Sequence, residues 1–370
     1  MSKPANKPER LHSLDILRGF DMFWITGGSW VVATLATATG WTWLDTVGKQ
    51  MHHADWAGFH FYDLIFPLFI FIMGVAIPYA LIPKLEAGAP RMGLYKKVVK
   101  RFVILVLLGI IYNQAHWPDW TNPRIASVLG QIGFAYLFAS IIFINSRGIK
   151  GVILWFSGIL VVYGLMQNFI PVPGHGAGVL TQEGSLNAFL DQYITPGRLL
   201  GGNYEPEGTF NNISAISIAL MGVMAGLILR GEKVKTQYGK VLTLALTGMG
   251  FITIALLLNG VYPIIKNAWT STFDLLTGGI SLILLSLFYL IVDVWKYRKW
   301  GFYFKVIGMN SITVYLGVSF ISFGTISGKL LGGLSMQMGD WGDVLISVGQ
   351  LALIWYGLYL LYKNKIFLRI

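Results

Sequence analysis

Three of the six histidines in this 370-residue chain fall in one stretch, Met51-His-His-Ala-Asp-Trp-Ala-Gly-Phe-His60, and the apolar run that follows opens with Asp63. Imidazole takes up and returns a proton near neutral pH, so a histidine here could serve as a general base. Polar segments between apolar runs are also simply where such side chains are tolerated, and composition alone favours that plainer reading. His53 and His60 with Asp55 could offer nitrogen and oxygen ligands to a metal. Their spacing fits no strong zinc pattern, there is no H-E-x-x-H and there is no cysteine. No metal is expected.

A second group of ionisable residues lies inside an apolar run. Asp15 and Arg18 are three residues apart, share a helix face and can pair. Asp21 lies one turn further on. A charge within a membrane span is costly unless paired, so these residues mark either a functional path or a structural ion pair. Asn310, in Gly308-Met-Asn-Ser-Ile-Thr-Val-Tyr315, and Asn267 are further polar groups at span ends. Hydrogen bonding between helices would account for Asn310. Gly27-Gly28 would admit a close neighbour, either a ligand or another helix.

The elements that must position these residues are set by composition. The chain is 55% hydrophobic and 12% charged, with a mean hydropathy of +0.61. Soluble domains carry about a quarter charged residues. These values exclude a soluble enzyme, a disordered chain and a nucleic-acid-binding domain, and the net charge of +11 reads as loop charge. The pattern predicts an all-α, polytopic transmembrane helix bundle of about ten spans. They lie near 14–36, 62–83, 101–114, 125–146, 152–170, 210–229, 241–259, 273–294, 302–323 and 342–362. The whole chain reads as a single domain over residues 1–370, with one long Gly- and Pro-containing connection at about 171–209 that could be a lid or substrate loop.

Lysine and arginine sort between alternate loops. One side holds Lys3, Lys7 and Arg10, the cluster from Lys84 to Arg101, Arg147 and Lys150, the group from Arg230 to Lys240, that from Lys296 to Lys305, and Lys363, Lys365 and Arg369. The other side keeps only Lys49, Arg124, Arg198, Lys266 and Lys329. Cations stay cytoplasmic during insertion, so both termini are expected inside and the histidine segment outside. Trp41, Trp43, Trp56, Trp117, Trp120, Trp269 and Trp341 would form an outer aromatic belt. Asp15, Arg18 and Asp21 in the first run argue against a cleaved signal peptide.

Several segments carry a resemblance. Ser13-Leu-Asp-Ile-Leu-Arg-Gly-Phe-Asp-Met-Phe-Trp-Ile25, His53-Ala-Asp-Trp-Ala-Gly58 and Tyr62-Asp-Leu-Ile-Phe-Pro-Leu-Phe-Ile-Phe-Ile-Met-Gly74 resemble the bacterial branch of the heparan-alpha-glucosaminide N-acetyltransferase family. The likeness continues through Arg124-Ile125, Val128-Leu129, Tyr204-Glu-Pro-Glu-Gly208, Pro263, Lys266-Asn267, Trp269, Gly308-Met-Asn-Ser-Ile312 and Lys365-Ile-Phe367.

The resemblance implies a transmembrane acyltransferase that moves acetyl from cytosolic acetyl-CoA to the amine of a glucosamine-type sugar or glycan across the membrane. It puts the family's essential histidine at His53, as general base or acetyl carrier. Asp63 would orient the base or the sugar, and Asn310 would donate to the developing oxyanion. Arg18, Lys97 and Arg101 match basic positions suited to CoA phosphates. Glu205, Glu207, Asn267 and Trp56 would contact the acceptor. The expected partners are acetyl-CoA as co-substrate, an amino sugar or glycan, and the lipid bilayer, with no nucleic acid; a homodimer is one open assembly state. The expected location is a bacterial inner membrane, with the histidine facing the periplasm or exterior. The chain departs from the animal members at Ser29, Gly130-Gln131 and Val318, where they carry asparagine, Gln-Arg and histidine. The rival readings are a sugar or lipid-linked glycan transporter without chemistry, and a scaffold that binds without catalysing.

Overall fold

A computed structural model describes residues 11–116, 118–146 and 148–368. The terminal cations Lys3, Lys7, Arg10 and Arg369, together with Arg147 and Trp117, lie outside them. The described residues are helical, with isolated bridges and no named strand. In chain order the helices are α1 (His12–Phe23), α2 (Ser29–Thr39), α3 (Thr42–Lys49), α4 (Ile65–Glu86), α5 (Arg91–His116), α6 (Val128–Asn145), α7 (Ile149–Phe169) and α8 (Leu186–Ile194). They continue as α9 (Asn211–Arg230), α10 (Gln237–Leu258), α11 (Ser271–Tyr289), α12 (Phe302–Gly308), α13 (Ser311–Phe320), α14 (Phe323–Ser335) and α15 (Trp341–Lys363).

Among the described residues, seven helices are long and apolar enough to cross a membrane, or up to eight if one bent pair is counted as a span. The stretch expected at 14–36 is not one even helix. A π turn at Trp24–Gly28 separates α1 from α2, and Gly27 sits there at φ 140°, which a side chain would resist. The stretch expected at 101–114 lies within α5. That expected at 302–323 is broken at Met309-Asn310 and again after Phe320, where α14 leaves α13 at 67°.

α4, α9 and α11 form the buried centre, whereas α7, α10 and α15 turn most of their apolar surface outward. Small residues let the central backbones touch: Gly74 on α4 faces the backbone of Ala219, and Gly222 on α9 faces that of Phe71. In lipid, where no hydrophobic effect drives helices together, such close packing supplies the association. The same device seats α1 on α12, with Gly19 against the Phe304 carbonyl and Gly308 against that of Asp15.

The long connection at 171–209 is anchored. It contains α8, and Val172 and Leu186 pack with Tyr163 and Phe210 in a small cluster of their own. Trp269, expected in an outer aromatic belt, is 1% exposed, wedged edge-on against Phe66 and Phe273. Its loop folds inward between helix ends. Trp41, Trp43, Trp120 and Trp341 are exposed.

Candidate functional site

The histidine segment is a loop closed over the 3₁₀ turn Phe61–Leu64 that leads into α4. Gln50 accepts from Phe61 N through its side chain and from Tyr62 N through its carbonyl, both at 3.0 Å. Asp63, which has no exposed surface, accepts from His60 N (2.9 Å) and Ala54 N (3.3 Å) through Oδ2. Its other oxygen lies 2.7 Å from His53 Nδ1. The carboxylate that closes the loop therefore also orients the imidazole. With the Nδ1 proton directed to Asp63, the Nε2 lone pair is left to take a proton. The Tyr62 ring lies 4.9 Å from the imidazole, centroid to centroid.

A second loop, residues 259–270, meets the first. Ala57 bridges Ile265, and Gly58 N donates to Ile264 O at 2.9 Å. This brings Lys266 Nζ to 2.9 Å from His53 Nδ1, 3.0 Å from Nε2 and 3.7 Å from Asp63 Oδ1. The loop is rigidly held. Ala268 O accepts from Tyr163 OH, Gln167 Nε2 and Asn187 Nδ2. Asn267 O accepts from Asn211 Nδ2, and Trp269 O from Ser214 Oγ. A buried backbone left without these donors would be costly, so the network fixes one geometry.

A third contribution comes from the long connection. Arg124 donates through Nε to Glu205 Oε2 at 2.9 Å, and through its second nitrogen to both Glu205 and Glu207. Glu205 is fully buried, also accepts from Leu200 N (2.9 Å), and its own N donates to Asp191. It is absent from the cavity wall, whereas Glu207 is on it with His53 and Lys266. Trp56 ties the histidine loop to the same connection, its Nε1 donating to Leu180 O at 2.7 Å.

The electrostatics follow from this packing. Partial burial lowers the His53 imidazole below its ordinary value; the Asp63 hydrogen bond opposes this and the Lys266 charge reinforces it. Burial also lowers the Lys266 ammonium, against the pull of Asp63 and Glu207. Burial and the neighbouring Glu205 push Glu207 up to about 7, with Arg124 opposing. The balance favours the neutral form of the His53 imidazole.

Two cavities adjoin within the bundle. One, of about 280 Å³, is walled by His53, Tyr62, Glu207 and Lys266 together with apolar side chains. The other, of about 560 Å³, is walled by Asp15, Arg18 and Arg101. Phe69, Leu129, Ile132, Ser311 and Ile312 line both. The Arg101 guanidinium lies 4.4 Å from the centroid of the Tyr136 ring. Lys97, one turn earlier on α5, is exposed and off this wall. Asn310 is 1% exposed at the start of α13, and its side-chain atoms have no hydrogen-bond partner among the described residues. Nor do those residues include a group of three His, Asp or Glu side chains placed to hold a metal ion.

The structure therefore brings His53 and Glu207 to one cavity, with Asp63 buried behind the imidazole, and Arg18 and Arg101 to its neighbour. Sequence reasoning did not assign Lys266 or Arg124 to the site. Both were nevertheless conspicuous, as two of the few cations outside the main clusters.

Sequence comparison bears on this arrangement. Residues 10–178 match a domain of unknown function (DUF5009). The chain is 28% identical over 366 residues to heparan-alpha-glucosaminide N-acetyltransferase of Homo sapiens, covering 84% of this chain and 53% of that protein. It is 29% identical over 320 residues to the Mus musculus protein of the same name, covering 72% and 48%. The chain spans about half the length of these relatives.

Proposed function

We propose, because this chain is similar over most of its length to heparan-alpha-glucosaminide N-acetyltransferases, that it is a member of that family, a transmembrane acyltransferase passing acetyl from acetyl-CoA to the amine of an amino sugar or glycan on the opposite side of the bilayer. One observation carries this reading: a cavity bearing two arginines adjoins a cavity bearing an oriented imidazole, and they share walls.

In this reading Arg18 and Arg101 pair with the phosphates of CoA, for which planar guanidinium groups are well suited. The thioester arm passes Phe69, Leu129 and Ile132 to reach His53. Nε2 of His53 takes the proton as the acceptor nitrogen attacks the acetyl carbonyl. A C–N bond forms, the C–S bond breaks, and the proton passes from the imidazole to the departing sulfur. Such a base contributes ~10²–10⁴-fold in rate. Glu207 suits the acceptor's ammonium, whereas Glu205 acts through Arg124. Lys97 suits only an approaching phosphate.

The test is thiol release from acetyl-CoA by purified protein, with and without glucosamine, beside His53→Ala. The chain has no cysteine, so a thiol reagent reports CoA alone. Acceptor-dependent release lost in the variant is expected. Folded protein that releases no thiol with several amino sugars would overturn the reading in favour of transport.

A further inference from the structure

We infer that Lys266 is a self-acetylation site, because it presents a primary amine to His53 from the wall of the cavity in which the acceptor's amine must arrive. The inference rests on the proposed acyltransferase activity. The acceptor's qualification in that reaction is an amine within hydrogen-bond reach of the imidazole, and Lys266 Nζ, at 2.9 and 3.0 Å from the two ring nitrogens, already meets it. The side chain is 14% exposed, so it has little freedom to swing away. The hydrogen bonds to the carbonyls of Asn267, Ala268 and Trp269 hold its loop in place.

Two carboxylates, Asp63 at 3.7 Å and Glu207 on the same wall, favour the ammonium form, while burial favours the free amine. An acetyl thioester brought to His53 meets that amine whenever no acceptor is present. Lys266 Nζ attacks the carbonyl carbon, His53 takes the proton, a C–N bond forms, the C–S bond breaks, and the proton leaves with the CoA thiol. The product is an amide, which neither water nor an acceptor amine discharges. An acetyl-imidazole on His53, by contrast, is readily discharged by either. Acetylation would remove a cation from beside the imidazole and place an acetamide in the acceptor's position, ending turnover in that molecule.

The experiment incubates the full chain in detergent with acetyl-CoA alone, or with acetyl-CoA and glucosamine, and then maps acetyl groups by peptide mass spectrometry after hydroxylamine treatment. Lys266 should carry a single hydroxylamine-resistant acetyl group, at higher occupancy without glucosamine than with it. The group should be absent from His53→Ala, and Lys49 and Lys329 should stay unmodified. Unmodified Lys266 in protein that acetylates glucosamine overturns this inference and leaves the acyltransferase reading standing. Equal labelling of His53→Ala, or labelling spread over exposed lysines, also overturns it, because the reaction would then be spontaneous. Absence of both label and turnover overturns the two together.

Discussion

His53 Nδ1 lies 2.7 Å from Asp63 Oδ1, and the same carboxylate's second oxygen accepts from the backbone of His60 and Ala54. Base and loop are thus held by one buried group. Its two oxygens divide the work, Oδ1 orienting the imidazole and Oδ2 closing the segment that carries it.

Asp63→Asn tests that dependence. An amide can keep the backbone contacts through its oxygen, but its nitrogen cannot accept from Nδ1–H. The imidazole is then free to turn or to take the other tautomer. The expected loss in kcat is roughly 10²-fold, within the range of general-base effects, with little change in the KM for acetyl-CoA. An unchanged kcat would remove Asp63 from the mechanism.

The pH profile has a definite sign. Partial burial and Lys266 hold the His53 imidazole below its ordinary value, so its neutral, proton-accepting form persists into mildly acidic solution. With acceptor saturating, the acid limb of kcat should be centred below about 6.5, the usual value for histidine. Because the Asp63 hydrogen bond raises the imidazole, Asp63→Asn should move that limb further down. An acid limb above 6.5 would contradict the assignment.

Arg124 is the counter-charge of a carboxylate that has no exposed surface. Arg124→Met leaves Glu205 buried and unpaired, which costs about 3–5 kcal/mol. Thermal melting in detergent should show a large drop. Pairing the change with Glu205→Gln should restore part of the loss, since Glu207 is then the one carboxylate of the cluster left without the guanidinium. Equal melting of wild type and Arg124→Met would show that the cluster does not hold the long connection.

Arg101→Gln addresses the donor end. Removing a phosphate partner should raise KM for acetyl-CoA while leaving kcat nearly unchanged, as expected for an interaction made equally in ground and transition states. The defect should shrink with a short acetyl thioester lacking the nucleotide. Equal defects with both donors would place Arg101 in packing against Tyr136 instead.

Much of the helical architecture is legible because apolar runs long enough to cross a bilayer announce themselves, and the His53–Asp63 pair lies within a single local segment. What could not be read depended on distance along the chain. Glu205 looks like a loop carboxylate open to a sugar until Arg124, 81 residues away, is seen to bury it. Lys266 comes to His53 through a bridge between two loops that no local pattern announces. Hydropathy likewise extends through 302–323 because Asn310 is one polar residue among apolar ones, although the backbone breaks there. Most cations cluster in alternate loops, and two that stand apart from those clusters, Arg124 and Lys266, proved to be the informative residues.

The residues shared by the two cavities, Phe69, Leu129, Ile132 and Ile312 with the single hydroxyl of Ser311, form an oily waist. A thioester's acetyl end is small, uncharged and tolerant of such surroundings; a hydrated ion or a proton travelling along water is not. Chemistry conducted across this waist would therefore be electrically quiet. In the proposed reading, a cell decorates sugars on its far side from a near-side acyl pool while its membrane goes on storing a voltage.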